Sequence, residues 1–186
     1  MKLVAATANS HKLREIAEIL DSYEVVSERE AGFVGEVEET GETFLENAIL
    51  KARAVCEATG LPAIGDDSGL CVDALGGAPG VYSARYSGGG DAENRALLLK
   101  NLEGVENRRA HFCCAIALCF PDGRLLTAEG RTFGTILLEA RGTGGFGYDP
   151  VFLSDDLGVS FAEAKEEQKN AVSHRGRALR RLAEQL

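Results

Sequence analysis

Leu61-Pro-Ala-Ile-Gly-Asp-Asp-Ser-Gly-Leu70 is the stretch on which the fold turns. A short apolar run stops at two adjacent carboxylates, Asp66 and Asp67, followed by a hydroxyl and a glycine. A buried strand delivers polar groups to the carboxyl edge of an α/β sheet in this way, and that edge is where such sheets place their ligands. Neighbouring strand residues point to opposite faces, so the two aspartates are expected to differ in role, one facing a cleft and the other holding the loop. Asp-Asp-Ser-Gly is also good turn chemistry, and alone the stretch leaves site and turn both open.

The segment before it is a strong helix pattern. Thr43 with Glu46 three residues later makes a capping box, Leu45, Ala48, Ile49, Ala52 and Cys56 form an apolar face, and Gly60 and Pro62 supply the stop. Lys51 lies off that face, which leaves it either solvated or reaching toward a cleft. The acidic stretch Glu36 to Glu42 ahead of the helix reads as a solvated loop or as metal ligands.

Nearer the N-terminus, Leu3 to Ala6 reads as a buried strand, and Leu13, Ile16, Ala17 and Leu20 fall at helical spacing. Thr7-Ala8-Asn9-Ser10-His11-Lys12 lies between them. A strand running through small polar residues into a helix start points backbone N–H groups and a positive dipole end at one spot, which suits a phosphate. The Walker spacing is absent, and a plain helix cap at Asn9 or Ser10 is the competing reading. With Val25 and Val26 as a second strand, the chain alternates strand and helix up to residue 67, an α/β class.

Beyond residue 70, Gly76-Gly77-Ala78-Pro79-Gly80 and Gly88-Gly89-Gly90 mark loops, and Asp91 is expected to cap a helix running through Leu102. Ala110 to Phe120 alternates as a long strand, and Pro121-Asp122-Gly123 turns it into a partner through about Ile136. A hairpin after α/β units implies a mixed sheet and a second lobe. In Arg141-Gly-Thr-Gly-Gly-Phe-Gly-Tyr-Asp149-Pro150, four glycines between 142 and 147 leave little bulk around Phe146, so the ring can stack on a flat ligand or simply anchor a loop. Lys165 to Arg181 holds six Lys or Arg residues, and Ala178, Leu179 and Leu182 mark a last helix with Ser173-His174-Arg175 near its start.

The totals set limits. A chain of 186 residues, 45% hydrophobic, can bury one good core as a single domain or as two closely joined lobes. A net charge of -9 argues against a general nucleic-acid binder. Five cysteines, Cys56, Cys71, Cys113, Cys114 and Cys119, without a Cys-x-x-Cys pair, suggest neither a disulfide framework nor a zinc site, but small buried residues in a reducing cytoplasm. With no signal-peptide pattern and no apolar span near ~20 residues, a soluble intracellular protein away from membranes is expected.

A phosphate turn, a carboxylate pair, acidic residues for a cation, a stacking loop and a basic patch together fit a nucleoside triphosphate. In this combination the sequence closely resembles the inosine/xanthosine triphosphate pyrophosphatases, the HAM1 or RdgB type of house-cleaning enzyme. The likeness covers nearly the whole chain. It rests on Thr7-x-Asn9-x-x-Lys12, on Glu39-Thr-Gly-x-Thr-Phe-x-Glu-Asn-Ala, on Asp66-Asp67-Ser68-Gly69-Leu70, on Gly-Gly-Ala-Pro-Gly-Val-Tyr-Ser-Ala-Arg-Tyr-Ser from residue 76, on Phe146-Gly-Tyr-Asp149, and on Lys169 with Ser173-His174-Arg175.

The resemblance implies a long, curved mixed sheet with flanking helices, two lobes around a central cleft within one domain spanning residues 1–186, and a homodimer. It implies hydrolysis of dITP, ITP and XTP to monophosphate and pyrophosphate with Mg2+. Thr7, Ala8, Asn9, Ser10, His11, Lys12 and Lys51 would hold the phosphates, Asp67 would be the general base, and Glu39 and Asp67 would lie at the metal. Ser68, Phe146, Gly147, Tyr148, Asp149, Lys169, His174 and Arg175 would contact the nucleoside. The family commonly has glycine where this chain has Ala8. A nucleotide sensor without turnover, or a pyrophosphatase of standard or pyrimidine nucleotides, are the alternatives.

Overall fold

In the computed structural model, which describes all residues from Met1 to Leu186, strand β1 (Lys2–Ala6) runs parallel to both of its neighbours. Val4 is in register with Val26 of β2 (Glu24–Ser27) on one side and with Ala63 of β3 (Ala63–Val72) on the other. Helix α1 (Ser10–Ile19) joins β1 to β2, and α2 (Phe44–Thr59) leads into β3. The predicted capping box of α2 is present, with Thr43 and Glu46 bonding reciprocally, and Gly60 ends the helix at φ +66°. Beyond β3 come α3 (Asp91–Asn101), the long hairpin of β4 (Arg109–Cys119) and β5 (Leu125–Ile136), the short β6 (Phe152–Ser154), and helices α4 (Glu166–Val172) and α5 (His174–Ala183). The sheet is mixed, six-stranded and flanked by helices, in the order β2-β1-β3-β4-β5-β6.

The chain divides into two compact units. The first comprises residues 1–67, 114–130 and 175–186. Its sheet is covered on both faces. Leu3, Ile64, Ile116 and Leu118 pack with Ile16 of α1 and Leu179 of α5, while Val4, Ala63, Ala115 and Ala117 pack with Ala48, Ala52 and Val55 of α2. Burial on both faces explains why Leu3 to Ala6 reads as a continuous apolar run rather than an alternating one.

On the α2 side the approach is backbone to backbone. A Cβ placed on Gly65 would lie 2.2 Å from the Ala48 carbonyl oxygen and 2.9 Å from the Ala52 nitrogen. This close crossing fixes where α2 presents Asn47 and Lys51. Gly65→Ala is therefore expected to force helix and strand apart and cost at least about 1–3 kcal/mol, read as a lower urea midpoint. An unchanged midpoint would mean that the contact is looser than described.

The second unit comprises residues 68–113 and 131–174. Leu70, Val72, Phe112, Ile136 and Phe152 turn one face of its strands onto Leu98 of α3, Leu102 at its end and Phe161. The opposite face carries Phe133, which is 49% exposed. That one-sided burial gives β5 the alternation typical of an antiparallel strand.

Two features depart from expectation. Asp91 does not cap α3; Gly90 holds the cap position, Glu93 accepts the Gly90 N–H, and the Asp91 carboxylate is directed elsewhere. The second is β6, for which Phe-Leu-Ser is too short to give a periodic signal, yet it pairs antiparallel with β5 through Ile136 and Phe152. No helix is long and apolar enough to cross a membrane. The five cysteines are free; Cys71 is half-buried and the other four are buried.

Candidate active site

The two aspartates of β3 occupy opposite environments, as strand alternation requires. Asp66 is enclosed. Its Oδ1 accepts a hydrogen bond from Lys12 Nζ at 2.7 Å and its Oδ2 one from Arg175 Nε at 2.6 Å, and the Cys114 thiol donates to Oδ2 at 3.2 Å. Arg175 is only 1% exposed and is also paired with the buried Glu15 of α1. Burial by itself would raise the Asp66 carboxyl, but the Arg175 guanidinium and the Lys12 ammonium hold it well below the usual carboxylate range. Burial, and next the negative charge of Asp66, push the Cys114 thiol up.

Asp67 has the opposite character. Burial pushes its carboxyl up to about 6, against the lowering pull of Lys51 and Lys12, and Glu39 adds to the rise. Asn47 of α2, fully buried, donates from Nδ2 to Asp67 Oδ2 at 3.0 Å and accepts the Gly41 N–H on its own Oδ1 at 2.7 Å. One amide thus ties Asp67 to the acidic loop two residues beyond Glu39. Lys51 Nζ donates to the Asp66 carbonyl at 2.7 Å and lies 3.5 Å from Glu39 Oε1 and 3.6 Å from Asp67 Oδ1. A carboxyl pushed up to about 6 and held by an amide and an ammonium is suited to general base catalysis.

The Thr7 to Lys12 segment forms the expected turn into a helix. Asn9 is its cap, accepting from the His11 and Lys12 N–H groups at 2.9 and 3.3 Å, and Thr7 Oγ1 accepts the Asn9 N–H. Ala8, Ser10 and His11 are exposed. The Lys12 ammonium is engaged with Asp66, so in this structure it stabilises that buried carboxylate.

In the second unit, Asp149 is the hub of the glycine-rich segment. Its Oδ2 accepts the Phe146 N–H at 3.0 Å and a hydrogen bond from Lys169 Nζ at 2.8 Å, and that ammonium lies 4.8 Å from the centre of the Phe146 ring. Gly145, at φ +66°, has no room for a Cβ, which would fall 2.3 Å from the same carboxylate oxygen. Tyr148 is buried, and its hydroxyl donates to the Ser83 carbonyl at 2.7 Å. His174 stacks on Phe112 with ring centroids 4.7 Å apart. Ser68 is half-buried. A groove of about 680 Å3 lined by Leu99, Val105, Arg108 and Leu138 contains none of these residues. The guanidinium of Arg108 donates there to the carbonyls of Leu102, Ile136 and Leu137.

The structure brings Asp67, Lys51 and Glu39 together in the first unit with Lys12 on the adjoining Asp66, and Phe146, Asp149 and Lys169 together in the second. Sequence reasoning assigns Arg175 to the nucleoside contacts, whereas the side chain is paired with Asp66 and Glu15. It gives no role to Glu15 or Asn47. Asn47 falls within the Glu39 to Ala48 motif, whereas Glu15 sits beside Ile16 on the inward side of α1, where a polar residue next to an apolar stripe is the only available signal.

Residues 3–185 match the sequence profile of the Ham1 family. A Geobacter sulfurreducens protein named dITP/XTP pyrophosphatase is 54% identical over 191 residues, covering 100% of this chain and 96% of the relative. The solved structure of the Staphylococcus aureus Ham1 protein superposes with a TM-score of 0.88 at 41% identity, covering 98% of this chain and 96% of that one. A HAM1 protein from Coxiella burnetii gives a TM-score of 0.88 at 43% identity, covering 99% and 97%.

Proposed function

The chain belongs to the Ham1 family, and from that membership we infer that it hydrolyses non-standard purine nucleoside triphosphates, dITP, ITP and XTP, to the monophosphate and pyrophosphate. The observation that carries the chemistry is Asp67, a carboxyl with its pKa raised to about 6 and oriented by Asn47 beside Lys51 and Glu39. A protein that only sensed nucleotides would have no need of such a base.

Once ionised, the Asp67 carboxylate accepts a proton from water as the water oxygen attacks the innermost phosphorus and pyrophosphate leaves. Asn47 holds the carboxylate in one orientation through the attack. Fixing a nucleophile and its target in line can remove up to about 7–11 kcal/mol of a barrier. Lys51, 3.6 Å from Asp67, would bring positive charge to the developing negative charge, and the exposed residues of the Thr7 to Lys12 turn would meet the phosphates with the N-terminal end of α1.

Two hard oxygen donors, Glu39 and Asp67, converge on one ammonium at 3.5 and 3.6 Å, although no group of three His, Cys, Asp or Glu side chains forms a ready metal cage. That donor set fits Mg2+, which takes one or two carboxylates and completes its shell with water and substrate phosphates. Glu39 and Asp67 would hold the ion. Bound there, it would supply charge neutralisation at the phosphates.

At the base, Phe146 would stack on the purine. Lys169 and Asp149 would pair with its edge, leaving buried polar groups unmatched by adenine, a mismatch that can reject an analogue by roughly 10^4-fold. The protein would work as a homodimer in the cytoplasm, where nucleotide pools and reduced thiols coexist; its five free cysteines are compatible with that setting.

With Mg2+ present, pyrophosphate is expected from dITP, ITP and XTP, and at least ~100-fold less from ATP. Orthophosphate instead would indicate a stepwise phosphatase. Binding without any product would indicate a sensor.

A further inference from the structure

Two residues of α3 grip the glycine-rich segment at a single point. The Gly147 N–H donates to Asp91 Oδ2 at 2.9 Å, and the Gly147 carbonyl accepts from Arg95 Nη1 at 2.8 Å. Asp91 and Arg95 are four residues apart, so they share one face of the helix and bracket the peptides on either side of Gly147. Gly147 itself is at φ +59° with nothing within 4 Å of a built Cβ, so backbone bonds and not packing fix its position. Immediately before it, Phe146 is held through its own N–H by Asp149.

The ring of Phe146 therefore projects from a backbone anchored on both sides, by Asp149 ahead and by the Asp91–Arg95 bracket behind. The bracket also explains why Asp91, an expected helix cap, leaves that duty: Glu93 takes the Gly90 N–H and frees the Asp91 carboxylate for the loop.

We propose that Asp91 and Arg95 are positioning residues for purine recognition, holding the Gly147 peptides so that Phe146 is set in advance for stacking on the base. The proposal rests on the nucleotide reading above. Neither side chain touches the reacting atoms, so the bracket acts on binding. Releasing it adds the ordering of one loop to each binding event, a cost of the size that weakens affinity about tenfold.

The test is steady-state hydrolysis of dITP by the full chain and its Asp91→Ala, Asp91→Asn, Arg95→Ala and double Ala variants. Each single Ala variant is expected to raise KM about tenfold with kcat within about threefold. Asp91→Asn, which retains an oxygen acceptor for the Gly147 N–H, should stay within about threefold of the parent in KM. Because both residues hold the same segment, the double variant should raise KM by clearly less than the product of the single effects. An active parent with unchanged KM in both Ala variants would overturn the proposal, as would a fall in kcat at constant KM or a multiplicative double variant. A parent that leaves dITP intact would instead overturn the functional reading, and the bracket's role with it. Asp91 is exposed and Arg95 half-buried at opposite ends of the bracket, so thermal melting of each variant separates a folding defect from the binding effect.

Discussion

Asp67→Asn is expected to lower turnover of dITP by at least ~100-fold while leaving nucleotide affinity within about tenfold of the parent. The amide keeps the shape of the side chain, and its oxygen can still accept from Asn47 Nδ2, which now bonds Asp67 at 3.0 Å. What it loses is the ability to take a proton. Pyrophosphate release in a single turnover, with calorimetric binding of intact dITP to the slow variant, separates the two quantities. Turnover within tenfold of the parent would remove Asp67 from the chemistry.

The same substitution should stabilise the protein. The Asp67 carboxyl is raised to about 6 in the folded chain, so the folded state holds its proton more tightly than the unfolded one. The stability gained from that proton is full below the ordinary carboxylate value and is lost as the pH rises through about 6. At pH 7.5 the ionised, largely buried carboxylate costs on the order of 2–3 kcal/mol. Removing it should raise Tm by about 4–12 °C in a chain of this size, measured without divalent ions. For the parent assayed with Mg2+, kcat/KM should rise with pH as Asp67 loses its proton, with the rise displaced below about 6 because a cation beside the carboxylate favours its ionised form.

Asp66→Ala is expected to have the opposite effect on stability. Arg175 is almost completely buried, and Asp66 bonds it at 2.6 Å while also receiving Lys12 at 2.7 Å. Deleting the carboxylate leaves a guanidinium in the interior that has lost one of its two ion pairs and keeps the one with Glu15. Breaking a buried pair in this way costs about 3–5 kcal/mol, which lowers Tm by roughly 6–20 °C. Arg175→Met should fall in the same range, because it leaves Glu15 and Asp66 buried together. Urea unfolding at pH 7.5 measures both, and a loss below about 1 kcal/mol for either would show that the pair is dispensable. The pH dependence also reverses in sign relative to Asp67. A carboxyl held well below its ordinary value contributes fully above that value, and its contribution is lost only in acid, as the pH falls toward the folded value.

Much of this architecture is written locally. The Thr43 and Glu46 capping box, the Gly60 stop, the alternating hairpin around Pro121-Asp122-Gly123 and the buried run at Leu3 need only near neighbours to be read, because capping, turn geometry and apolar periodicity act within a few residues. The family motifs are legible in the same way, and they group Lys12, Lys51, Glu39 and Asp67 from the order of residues alone. That Asp66 and Asp67 must differ also follows from strand geometry.

Which aspartate has its pKa raised and which has it lowered is a tertiary matter. It depends on Arg175, 109 residues away in sequence, meeting Asp66, and on Asn47, 20 residues away, meeting Asp67. The acidity of a carboxyl is set by burial and by the charges around it, and no local pattern encodes either. The same holds for Asp91 and Arg95, which look like ordinary charges near the start of a helix until the fold brings Gly147 between them. Sequence determined which elements form and which residue types reach the site; long-range packing decided the electrostatic environment of each, because that environment is made of neighbours that only the folded chain supplies.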